Sequence, residues 1–189
     1  MASIRAMKFR KHIRLKDFDY ATDGYYFVTI CTEHRKKMFK PRISQKYRHK
    51  LPEDAVAGSL PIEHEKNTNI LESNILDIEK KFPAEIDFYC IMPEHIHMII
   101  VLIARHGRAA TNIENKCSRL PMASQNNTSL PWIINAFKGW CTRSFGKKIF
   151  QPNYYEHIIR NETALDKIRK YIENNPFDEQ LNWSELDTM

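Results

Sequence analysis

The sequence predicts an α+β fold: a ferredoxin-like β-α-β-β-α-β antiparallel sheet with helices on one face, followed by a C-terminal helix that bears a tyrosine. Three observations lead there. Four short segments are rich in β-branched and aromatic residues. Two amphipathic segments are interleaved with them. Two of the strand-like segments meet across nothing longer than Pro93-Glu94, which forces an antiparallel hairpin. Residues 1–189 read as one domain, with a basic N-terminal arm over about 1–20 and a polar insertion over about 105–129.

Tyr25–Cys31, YYFVTIC, follows Gly24 and is a strand. Leu71, Ile75, Ile78 and Phe82 lie four, three and four apart, so 67–82 is a helix with one apolar face, and Pro83 ends it. Asp87–Met92 and His95–Ile103 are the next two strands; a run of seven successive apolar residues, Met98 to Ala104, begins within the second. Residues 105–129 are polar and aperiodic, as in a long loop. Pro131 suits the first turn of the following helix, Ile133, Phe137, Trp140, Cys141 and Phe145 form its inner face, and Gly146 suits its C-cap. Tyr154–Arg160 is the fourth strand. Thr163–Asn175 is the last helix, with a capping box from Thr163 to Asp166 and a stop before Pro176.

Apolar residues make up 42% and charged residues 28% of the chain, ordinary values for a globular protein. No apolar run is long enough to span a bilayer and none suggests a signal peptide. The cysteines, Cys31, Cys90, Cys117 and Cys141, form no CxxC pair, which argues against a secreted disulfide framework and for a reducing cytoplasm. Net charge is +6 and is segregated. Residues 1–16 carry Arg5, Lys8, Arg10, Lys11, Arg14 and Lys16 without an acid, and 35–50 carry Arg35, Lys36, Lys37 and five further basic residues, again without one. Such blocks suit a polyanion, bound in part by counterion release; they equally suit solvated arms.

Successive strand residues point to opposite faces, so His95 and His97 share a face and Ile96 and Met98 turn towards the helices. Two imidazoles side by side are a pair of potential metal ligands. On the last helix Lys167, Tyr171 and Asn175 form one row beside the apolar stripe Leu165, Ile168 and Ile172. An amide oxygen from Asn175 would suit Mg²⁺ or Mn²⁺, and a phenol one turn away could attack a phosphate. Lys167, one turn before Tyr171, could steady a phenolate or hold a phosphate. Two other classes stay open on these residues: a catalytically silent nucleic-acid-binding module, and a zinc hydrolase built on His95, His97 and His157.

Four stretches, YYFVTICTEHRKKMF, FYCIMPEHIHMIIVL, INAFKGWCTRSF and QPNYYEHIIRNETALDKIRKYIENNP, together resemble the single-tyrosine HUH transposases, and within them the REP-associated tyrosine transposases. The resemblance covers most of 10–177. It implies a metal-dependent endonuclease and strand transferase acting on single-stranded, hairpin-forming DNA through a 5′-phosphotyrosine. It further implies that His95 and His97 bind Mg²⁺ or Mn²⁺, that Tyr171 is the nucleophile, and that Asn175 is the third ligand. A monomer or homodimer at the nucleoid is expected, with Arg10, Lys11, Arg14, Arg35, Lys36, Lys37 and Lys167 on DNA. The insertion at 105–129 departs from compact members of that family.

Overall fold

The computed structural model describes residues 15, 18–44, 61–103 and 129–174. Five strands form one antiparallel sheet: β1 (Gly24–Cys31), β2 (Arg42–Ile43), β3 (Ala84–Ile91), β4 (His95–Leu102) and β5 (Tyr155–Ile159). Among the described residues three α-helices accompany them: α1 (Ile62–Lys81), α2 (Leu130–Phe145) and α3 (Glu162–Asn174). The strand order is β2-β3-β4-β1-β5. Without β2, this is the expected β-α-β-β-α-β topology with an added helix.

Burial separates the two sheet faces. Tyr26, Val28 and Ile30 of β1 and Ile96, Met98 and Ile100 of β4 pack with Leu71, Ile75 and Ile78 of α1 and with Ile133, Ile134, Phe137 and Cys141 of α2. Phe27, Phe88, Cys90 and Ile99 occupy the other face, under Ala164, Leu165, Ile168 and Ile172 of α3. The final helix therefore lies opposite the other two, on the face to which His95 and His97 belong.

Several boundaries differ from expectation for physical reasons. α1 begins at Ile62, five residues before the expected start at 67, because its first turn carries no part of the apolar face; Ile62 itself is 91% exposed. α3 is capped by Asn161, whose Oδ1 accepts the Ala164 N–H at 2.8 Å, and not by a capping box at Thr163. β2 is only two residues long, too short for an alternation to show. It is tied to α1 by Arg42, which donates to Glu65, Glu72 and Asn69, and Glu72 in turn accepts the Tyr89 hydroxyl at 2.6 Å. β3 starts three residues before Asp87 and contains a bulge: Ile86 pairs with Ile100 and Phe88 with the adjacent Ile99, so Asp87 is the extra residue. α2 carries a proline in its first turn and ends at Gly146, whose φ of 65° is the left-handed cap conformation. Trp140, expected inside, is half-buried and stacks on Phe82 at the rim. Arg10, Lys11, Arg14, the insertion, Asn175 and the stop at Pro176 lie outside the described residues.

Candidate active site

Strand register assembles the site. β4 pairs with β1 so that His97 faces Thr29 and His95 faces Cys31. Directly paired residues share a face, so both histidines stand on the α3 side. Their Nε2 atoms are 3.1 Å apart. His97 Nδ1 is 2.8 Å from the Thr29 hydroxyl. With that hydroxyl accepting the Nδ1 proton, the His97 Nε2 lone pair is left to face His95 Nε2. The Phe27 ring stacks on the His97 imidazole at 5.3 Å, and His97 is only 4% exposed. Burial first, and the neighbouring His95 second, push the His97 imidazole down to about 3, so it is neutral at physiological pH.

The apolar helix stripe evident in the sequence delivers Tyr171 to this pair. Leu165, Ile168 and Ile172 are buried against the sheet, and Tyr171 sits half-buried at the border. Its ring centroid lies 5.3 Å from that of His97 and 6.1 Å from that of Phe27, edge-on to both. Arg169 anchors the helix, donating to both carboxylate oxygens of Asp87 at 2.8 and 2.7 Å. The bulge in β3 supplies that carboxylate. Lys167 is half-buried one turn before Tyr171.

A divalent ion fits the histidine pair. Two nitrogens bound cis to one ion at about 2.1 Å each stand roughly 3 Å apart, and the Nε2–Nε2 distance here is 3.1 Å. Among the described residues, no three of His, Cys, Asp and Glu lie close enough to hold a metal. His157 shares the sheet face, paired with Phe27, yet forms no such trio with His95 and His97, and the zinc-hydrolase alternative loses its ligand set.

Basic residues approach from the turn after β1. Arg35, Lys36 and Lys37 are exposed. His34 and Arg35 have φ of 54° and 53°, left-handed values that cost roughly 1 kcal/mol or more for a residue with a Cβ. Buried Thr32 secures the turn: its hydroxyl lies 2.8 Å from Lys36 O and 2.9 Å from Glu94 O, and its N–H donates to Glu94 O at 2.8 Å. Met38 N–H donates to Pro93 O at 2.8 Å, and Arg35 pairs with the Glu94 carboxylate at 3.1 Å. The basic turn is thus bolted to the hairpin that opens at His95.

Of the residues singled out in the sequence, the structure brings His95, His97 and Tyr171 together and fastens the basic turn to the hairpin before His95. Sequence reasoning missed Thr29, Phe27, Asp87 and Arg169. The first two are positioned by β1–β4 register, and the second two meet only because of the bulge.

The family described as "Transposase IS200 like" matches residues 20–175. An uncharacterized protein of Haemophilus influenzae strain Rd is 31% identical over 175 residues, 88% of each chain. A second protein of that organism, described as a REP-associated tyrosine transposase, is 24% identical over 84% of this chain and 73% of its own. A solved REP-associated tyrosine transposase bound to a REP hairpin superposes with a TM-score of 0.53, at 20% identity, over 89% of this chain and 73% of that one. At that identity the likeness is one of fold.

Proposed function

The chain belongs to the IS200-like transposase family, and from that premise we propose that it cleaves and rejoins single-stranded, hairpin-forming DNA through a covalent link to Tyr171. The observation that carries this reading is the Tyr171 ring lying against the buried, neutral His97, whose Nε2 converges with that of His95. The hairpin held by the similar solved transposase supports the choice of substrate.

The chemistry divides among named groups. The Tyr171 phenol oxygen attacks phosphorus, a new P–O bond to tyrosine forms, and the bond to the 3′ oxygen breaks. The products are a 5′-phosphotyrosine and a 3′-hydroxyl, which takes up a proton on leaving. A 3′-hydroxyl attacking the phosphotyrosine reverses the step and joins strands, so no external energy source is needed. His95 and His97 would hold Mg²⁺ or Mn²⁺, with Asn175 as the proposed third ligand; such an ion supplies charge neutralisation at the phosphate. Thr29 and Phe27 fix the His97 ring in position. A phenol of pKa near 10 is mostly protonated at neutral pH, and Lys167, one turn away, is assigned to favour its ionised form. Arg35, Lys36 and Lys37 receive flanking phosphates.

The test is a panel of single-stranded hairpins incubated with protein and Mn²⁺, followed by denaturing electrophoresis. A protein–DNA adduct is expected. It should vanish with EDTA and in Tyr171→Phe, while the variant keeps DNA affinity and stays within about 1 kcal/mol of wild-type stability. An adduct at normal rate in Tyr171→Phe would remove the nucleophile assignment.

A further inference from the structure

Tyr155 is taken up by none of these roles, yet it stands in the row of the site. Thr29 pairs with His97 on one side and with Tyr155 on the other. The three residues therefore project from one face in a line across β4, β1 and β5, which puts Tyr155 two strand spacings, roughly 10 Å, from His97. β5 is the edge of the sheet. Tyr155 is 49% exposed, and the Thr29 side chain between it and the histidine is small.

Its mounting is rigid. Lys138 of α2 donates to the carbonyls of Gln151, Pro152 and Asn153 at 2.9, 3.1 and 3.0 Å, clamping the segment that leads into β5. The Gln151 N–H donates to Cys31 O at 3.0 Å, fastening the same segment to the end of β1. Tyr154, the neighbour of Tyr155, is buried. A basic group is at hand as well. The turn that carries Arg35 is fastened to the same segment: the Glu33 N–H donates to Ile149 O at 2.8 Å, and Thr32 bridges Phe150. The Arg35 side chain stays 53% exposed there.

A fixed, exposed ring in line with a phosphate-processing site, with an exposed guanidinium on the turn fastened to the same segment, has the features of a single-strand stacking subsite: the ring takes a base and the cation takes the adjoining phosphate. We propose that Tyr155 stacks an unpaired base of the single-stranded DNA next to the scissile phosphate, with Arg35 on the phosphate that follows. This deepens the reading of Tyr171 and the histidines and rests on it for the identity of the strand, though its test does not require cleavage.

The probe is a fluorescein-labelled oligothymidine about 20 nucleotides long, bound to Tyr171→Phe protein and followed by anisotropy. Tyr155→Leu should weaken binding about tenfold, because the aromatic stacking face is gone, whereas Tyr155→Phe should bind within about twofold of the parent. Tyr155 is exposed, so both variants should melt like the parent. With iododeoxyuridine in the strand, irradiation should attach the DNA to Tyr155. The proposal is overturned if Tyr155→Leu binds like Tyr155→Phe, if both weaken equally, or if the parent does not bind the oligomer. Adduct formation in otherwise wild-type protein is scored separately. No adduct with a large Tyr155→Leu binding defect would sink the cleavage mechanism alone; a normal adduct with no binding defect would sink the stacking subsite alone.

Discussion

His97 carries its pH dependence in its surroundings. Its imidazole titrates near 3 when folded against an ordinary 6.5, because burial and His95 oppose the charge. The folded value lies below the unfolded one, so the unfolded chain takes up the proton first as pH falls. The stability contributed by neutral His97 is complete above 6.5 and is drawn down between 6.5 and about 3. The slope is about 1.4 kcal/mol for each unit of pH. Thermal melts in EDTA across that window should show a shallower loss for His97→Asn than for wild type; parallel curves would mean that His97 is solvated. The i, i+2 spacing was enough to put His95 and His97 on one face, as the register does. Thr29, which fixes the His97 ring, was not legible, because a threonine in YYFVTIC looks like any strand threonine until its cross-strand partner is known.

At the level of elements, α3 depends on the irregularity in β3. In AEIDFYCI the residues Ile86, Phe88 and Cys90 alternate without a break, and a period of two assigns them to one face. The bulge divides them: Ile86 packs with the core under α1 and α2, Phe88 and Cys90 with that under α3. It also leaves Asp87 placed for Arg169. Only pairing geometry reveals such a residue, so the helix was legible as an amphipathic segment while its anchor was not. Arg169→Ala should cost about 1–3 kcal/mol, since it strands a largely buried carboxylate. It should slow adduct formation while leaving oligothymidine affinity near wild type. Asp87→Ala combined with Arg169→Ala should recover part of the stability, and urea melts would measure both effects.

For the molecule as a whole, the two faces of the sheet divide the work. One carries α1, α2 and the larger core; the other carries the histidines, α3 and Tyr155. The plain order of strands and helices was readable because each core element is long and periodic. The extra edge strand was not, having two residues. The charge runs were readable too, but which charges flank the site is decided by Thr32 and Glu94. Replacing Arg35, Lys36 and Lys37 with alanine should reduce the slope of log affinity against log salt by about 0.7 for each phosphate left unneutralised on single-stranded DNA. Affinity measured over a salt series is the check, and an unchanged slope would mean that these side chains meet no phosphate.

The Thr32 bolt has a kinetic consequence. Because its hydroxyl touches carbonyls of both the basic turn and the histidine hairpin, those two segments share one frame. On the proposed mechanism, a phosphate gripped by Arg35 would be registered against the reacting centre, and the grip would be expressed as alignment as much as retention. A strand trimmed on that side would turn over slowly even at saturation, a defect in kcat that no excess of substrate repairs.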